Sequence, residues 1–75
     1  MIKAIIKTEQ QIKECCSVQT KDGFLFDGQF FPNENLIFCG LEIEGNLWKS
    51  GIVLECKINN EWHFLSIDAL NFSEL

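Results

Sequence analysis

From Asp22 onward the chain is cut at short intervals by residues that reverse its direction: Asp22-Gly23, Asp27-Gly28, Pro32-Asn33-Glu34-Asn35, Gly45-Asn46 and Asn59-Asn60. Gly and Asn accept the backbone conformations that tight turns demand, and Pro32 cannot donate to a strand ladder. The pieces between these points alternate apolar and polar residues, the pattern of short strands. Residues 36 to 43 put Ile37, Cys39, Leu41 and Ile43 on one side, and Gly45-Asn46 then offers a two-residue hairpin turn. Pairing Glu44 with Leu47 sets Ile43 opposite Trp48, Leu41 opposite Ser50, Cys39 opposite Ile52 and Ile37 opposite Leu54. Register and apolar face agree, and Glu42 meets Lys49 on the reverse face. Gly40 and Gly51 fall opposite one another, which predicts a bend.

The next turn poses a conflict. A two-residue loop at Asn59-Asn60 puts Trp62 and Phe64 on the face opposite Cys56 and Ile58. A three-residue loop, Asn59-Asn60-Glu61 with a bulge, brings Ile58 opposite Trp62 and Cys56 opposite Phe64, and is the arrangement expected. His63 then lies on the outer face, opposite Lys57.

Upstream, Ile2, Ala4 and Ile6 alternate with Lys3, Ile5 and Lys7 in a short strand over residues 2 to 7. Thr8 and Gln11 fit a capping box and predict a helix over about residues 9 to 16, its stripe made by Ile12, Cys15 and Cys16. Phe24-Leu25-Phe26 and Gln29-Phe30-Phe31 flank Asp27-Gly28 as a tight hairpin. Ser66 is placed to cap a turn through Ile67, Asp68, Ala69 and Leu70, with Phe72 closing the core. The expected fold is α+β, a single domain over residues 1–75: a small bent antiparallel sheet of four to five strands with one short N-terminal helix. A small SH3-like β-barrel is the alternative.

A chain of 75 residues forms one core, and 47% apolar residues suffice for it. The net charge is −5 and every basic residue is Lys. Without Arg forks or a positive surface, direct nucleic-acid binding and adhesion to an anionic membrane are disfavoured. No stretch reaches the roughly 20 apolar residues of a membrane span, and the N-terminus lacks a signal-peptide pattern. The expectation is therefore a cytoplasmic protein whose four cysteines are reduced.

Cys15, Cys16, Cys39, Cys56 and His63 are zinc-ligand types, but Cys15 and Cys16 are adjacent and Cys39 and Cys56 point into the expected core. They read as small buried hydrophobes, and no metal is expected. None of Ser17, Ser50, Ser66 or Ser73 sits in a nucleophile elbow, and no phosphate loop occurs, so neither catalysis nor a cofactor is expected.

The outer face of the expected sheet carries Glu42, Glu44 and Glu55, with Glu61 at the loop and His63 alongside. The same face holds Leu36, Phe38, Val53 and Leu65, where clean alternation would place polar residues. Either the helix or the Phe24–Phe31 hairpin covers that apolar centre, or it is an acid-rimmed contact site. The candidate partner-binding set is Phe38, Glu42, Glu44, Val53, Glu55, Glu61, His63 and Leu65. The functional expectation is a small acidic, non-catalytic protein that binds and inhibits a larger protein with a basic surface, a nucleic-acid enzyme or a toxin. The analogy is with inhibitors that phages carry against host defences and with bacterial immunity proteins. The alternative is a structural subunit or obligate homodimer stabilised by strand pairing. A small enzyme or ligand-binding barrel would need a deep pocket holding His63 beside a Glu.

Overall fold

The computed structural model describes residues 1–48 and 51–72. Strand β1 (Ile2–Ile6) buries Ala4 and Ile6, and the helix α1 (Glu9–Cys15) follows. The capping box forms as its residues predict: the Gln11 amide donates to Thr8 Oγ1 at 3.2 Å and the Thr8 amide donates to Gln11 Oε1 at 3.0 Å. Of the expected stripe only Ile12 is fully buried; Cys16 is half-buried and Cys15 is exposed. A two-residue strand β2 (Val18–Gln19) precedes β3 (Gly23–Phe26) and β4 (Gln29–Pro32). The last two are the expected hairpin, turning at Asp27-Gly28 with Gly28 at φ +80°.

After β4 the chain departs from the expected course. Asn33–Phe38 is a 3₁₀ helix, so the segment read as an extended arm up to Ile43 is not one strand, and Ile37 points to solvent at 81% exposure. Strand β5 spans Glu42–Trp48 and runs straight through Gly45-Asn46. The backbone of the next strand, β6 (Val53–Ile58), comes so close to Gly45 that a Cβ there would collide with the Glu55 carbonyl, so this glycine serves close approach and not a turn. The observed register is Trp48 with Val53, Leu47 with Leu54, Asn46 with Glu55 and Gly45 with Cys56. Ile43 pairs with Ala4 and Glu42 with Ile5, both in β1, instead of folding back on their own hairpin. Gly40 and Gly51 lie outside the strands and do not face one another; the expected partners Lys49 and Ser50 lie outside the described residues.

The second turn is also corrected. Asn59 and Asn60 have φ of 51° and 68°, both left-handed, and Ile58 pairs directly with Glu61. This is a two-residue turn whose twist matches that of its strands, and it needs no bulge. Strand β7 (Glu61–Ser66) consequently sets Trp62 opposite Lys57, His63 opposite Cys56, Phe64 opposite Glu55 and Leu65 opposite Leu54. The two aromatics turn outward, while His63 and Leu65 turn inward. Ser66 caps the 3₁₀ turn Ile67–Ala69 as expected, accepting from the Asp68 amide at 3.1 Å, and β8 (Leu70–Phe72) follows. Leu70 is buried, whereas Phe72 is 42% exposed and does not close the core.

The five-stranded sheet has the order β7-β6-β5-β1-β8, antiparallel throughout. Its two edge strands are thus neighbours in sequence, joined by three residues. If the sheet were flat, four inter-strand gaps of about 4.8 Å would hold them about 19 Å apart. Four Cα steps from Ser66 to Leu70 reach at most about 14 Å. The sheet must therefore curl, and the turn is tied to both sides: Ile67 N donates to Ile52 O (3.1 Å) and Lys7 N donates to Ala69 O (2.9 Å). Among the described residues no ladder joins β7 to β8, so the closed SH3-like barrel does not form.

The strands β2-β3-β4 make a second, three-stranded sheet. From β3 and β4 come Phe24, Phe26 and Phe31, which join Ile12 of α1 against Ala4, Ile6, Ile43, Leu54, Cys56, Ile58, Leu65 and Leu70 in one buried cluster. The helix and the Phe hairpin thus cover the concave face of the large sheet. The fold is a small α+β domain of two antiparallel sheets and one short helix.

Candidate functional site

The convex face of the large sheet is built from the alternate residues that β1, β5, β6 and β7 send away from the core. In register across it run Lys3 beside Glu44, Ile5 beside Glu42, Lys57 beside Trp62, and Asn46 and Phe64 on either side of Glu55. Trp48 stands at one corner. Three aromatics dominate this surface, with Trp62 61%, Phe64 54% and Trp48 51% exposed. The two-residue Asn59-Asn60 turn fixes the phase of β7 and so turns Trp62 and Phe64 out.

The charges on this face are unequally satisfied. Lys3 Nζ lies 3.9 Å from Glu44 Oε1, with both side chains largely solvated, so the pair contributes little. Lys57 Nζ rests 5.5 Å from the centre of the Trp62 ring, a cation–π contact. Glu42 and Glu55 have no ion-pair partner among the described residues. A shallow cleft of about 440 Å³ runs over β5 and β6, walled by Glu42, Glu44, Asn46, Glu55, Lys57 and Trp62 among others.

Of the eight residues singled out in the sequence, Glu42, Glu44 and Glu55 come together here. The others lie elsewhere. Leu65 belongs to the core cluster at 3% exposure, and Val53, though in phase with the convex face, is fully buried near the turn where Ile67 N meets Ile52 O. Phe38, on the 3₁₀ helix, is half-buried and meets His63 edge to face, with ring centres 5.3 Å apart. His63 therefore sits on the concave side opposite Cys56, not on the outer face opposite Lys57, because the shorter turn shifts β7 by one residue. Its Nε2 is buried without a hydrogen-bond partner among the described residues. Glu61, with Glu34, Ile37, Phe38 and His63, lines a separate cleft of about 300 Å³ on that side.

None of the four cysteines is disulfide-bonded. Burial pushes the Cys56 thiol above its ordinary pKa; burial and then the Glu9 carboxylate do the same for Cys39. Both thiols are thereby kept protonated and poorly nucleophilic. Among the described residues no group of three or more His, Cys, Asp or Glu side chains is placed to hold a metal ion, and no helix is long and apolar enough to cross a membrane. Trp48, Trp62 and Phe64 are the residues of the convex face that the sequence pattern places on the core side. The left-handed preference of consecutive Asn residues was the signal that could have found two of them. In comparison with known proteins, the chain matches no family model, no curated protein and no solved structure.

Proposed function

We propose that this chain is a non-catalytic binding protein that lays the convex face of its large sheet on a basic surface of a larger protein and acts by occupying it. The observation that carries this reading is the uncovered face itself, where three half-exposed aromatics stand among carboxylates of which Glu42 and Glu55 have no ion-pair partner among the described residues. Trp supplies a disproportionate share of binding energy at protein interfaces, about 2 kcal/mol or more for a well-packed anchor. Carboxylates around it steer the encounter and reject acidic surfaces. A nucleic-acid-handling enzyme or a toxin with a Lys/Arg-rich surface is the favoured partner class, and inhibition by steric cover is the favoured outcome. Four unpaired thiols suit a reducing, cytoplasmic setting.

Affinity capture from the native cell tests this when run with the wild-type chain, Glu42→Lys/Glu55→Lys, Trp62→Ala and a Lys13→Ala control. The reading expects one partner retained by the wild type and the control, released by added salt, and lost with both face variants. A partner retained equally by all four chains contradicts it.

A second reading, self-association, is favoured by one observation. Val18, Leu25 and Phe30 pair in register across the three-stranded sheet and are 52%, 40% and 47% exposed, an apolar row ending at the edge strand β2. Sedimentation of the wild type against Leu25→Glu over a wide concentration range decides it: a monomer throughout removes this reading.

A further inference from the structure

Resting on the reading of the convex face as a docking surface for a basic partner, we propose that the face selects arginine: a guanidinium of the partner stacks on Trp62, forks to the carboxylates of the adjoining cleft, and displaces Lys57. Three observations lead there. The Trp62 ring already draws a cation, since Lys57 Nζ lies 5.5 Å from its centre, yet the residue remains 61% exposed and can take another. The cleft beside the ring is walled by Glu42, Glu44 and Glu55, and the first and last of these lack an ion-pair partner among the described residues. Charge complementarity therefore commits the occupant to a cation, and the indole commits it to one that can also stack.

The choice between the two cationic side chains follows from their shapes. A guanidinium is planar, weakly hydrated and equipped with a fork of N–H donors, so it covers an indole face while donating two parallel hydrogen bonds to a carboxylate. An ammonium is a compact, strongly hydrated charge that must leave one of these contacts to make the other. Lys57 illustrates the limit: it sits over the ring and makes no ion pair with Glu42, Glu44 or Glu55. The occupant also has to be foreign. This chain contains no arginine, so a second copy of it cannot fill the role.

The test is calorimetric titration of the full chain with three peptides of equal length in which serine alternates with arginine, lysine or citrulline. Citrulline keeps the planar shape and removes the charge. The expected result is binding of the arginine peptide that weakens with salt, about fivefold or more weaker binding of the lysine peptide, and none of citrulline. Trp62→Ala should bring the arginine peptide down to the level of the lysine peptide, and Lys57→Met should strengthen it by removing the resident cation. Circular dichroism verifies that both variants fold, as substitutions at exposed positions should allow. Equal affinity for arginine and lysine peptides overturns the selection of arginine while leaving the basic-partner reading intact. Arginine binding that ignores Trp62→Ala places the contact elsewhere and overturns the inference. So does failure of every peptide to bind, in which case the charge-reversal capture experiment judges the broader reading separately.

Discussion

Phe31 and Phe64 are the same residue in opposite surroundings, 2% and 54% exposed, and truncating each to Ala measures which side of its sheet it occupies. Full burial of a Phe side chain is worth about 1.5–3 kcal/mol, so Phe64, about half covered, contributes roughly 1 kcal/mol and leaves no cavity behind. Phe31→Ala loses the whole transfer term and opens a void between the two sheets, about 3–5 kcal/mol together. At about 0.05–0.15 kcal/mol per residue, a chain of 75 residues holds about 4–11 kcal/mol in total. Phe31→Ala therefore removes between a quarter and all of the stability, whereas Phe64→Ala leaves most of it. Urea unfolding followed by far-UV circular dichroism reads the difference. With a slope of about 1 kcal/mol per molar, the midpoint falls by about 1 M for Phe64→Ala and by about 3 M or more for Phe31→Ala, which is unfolded outright if the parent is marginal. Equal losses would refute the reasoning, because they would mean that Phe64 packs inside and that the two-residue turn is wrong.

Gly45→Val forces side-chain atoms into the Glu55 carbonyl and should lower stability by about 1–3 kcal/mol, measured by the same urea titration; a neutral result would mean that β5 and β6 are not so closely apposed. In native alkylation, exposed Cys15 should react promptly and buried Cys56 only on unfolding, with mass spectrometry of the labelled peptides as the readout. The Cys56 and Cys39 thiols have folded pKa values raised above the ordinary 9.0, so the folded state holds their protons more tightly than the unfolded state. Their contribution is fully present below about pH 9 and is lost as pH climbs through the raised values, so Tm should fall in that alkaline range and Cys56→Ala should flatten the decline. An identical slope in Cys56→Ala would contradict its burial.

Self-contained local signals form as their residues predict. The Thr8–Gln11 capping box, the Asp27-Gly28 hairpin and the Ser66 cap each depend on contacts within a few residues, and each forms. The class of the fold, a small antiparallel sheet with one short helix, followed from them. What the sequence obscured was pairing at a distance. Gly45-Asn46 resembles a turn, but β1 offers Ile43 the partner Ala4 on an otherwise empty flank of β5, and the tertiary pairing overrides the local preference. At Asn59-Asn60 the aromatics of β7 are not needed inside, because the core is filled by Phe24, Phe26 and Phe31, which arrive from a separate sheet. Hence the carboxylates of the candidate face were legible in the alternation of β5 and β6, while its aromatics were not. One residue of register in β7 exchanged Trp62 and Phe64 for His63 and Leu65.

Trp48 and Trp62 are the only two tryptophans, and both belong to the convex face, so intrinsic fluorescence reports on that surface alone. With both indoles more than half exposed, the native protein should emit close to the wavelength of the urea-unfolded chain and be quenched readily by acrylamide before it unfolds. A blue-shifted native emission, shielded from acrylamide until the protein unfolds, would contradict the open aromatic face and remove the surface on which docking is proposed.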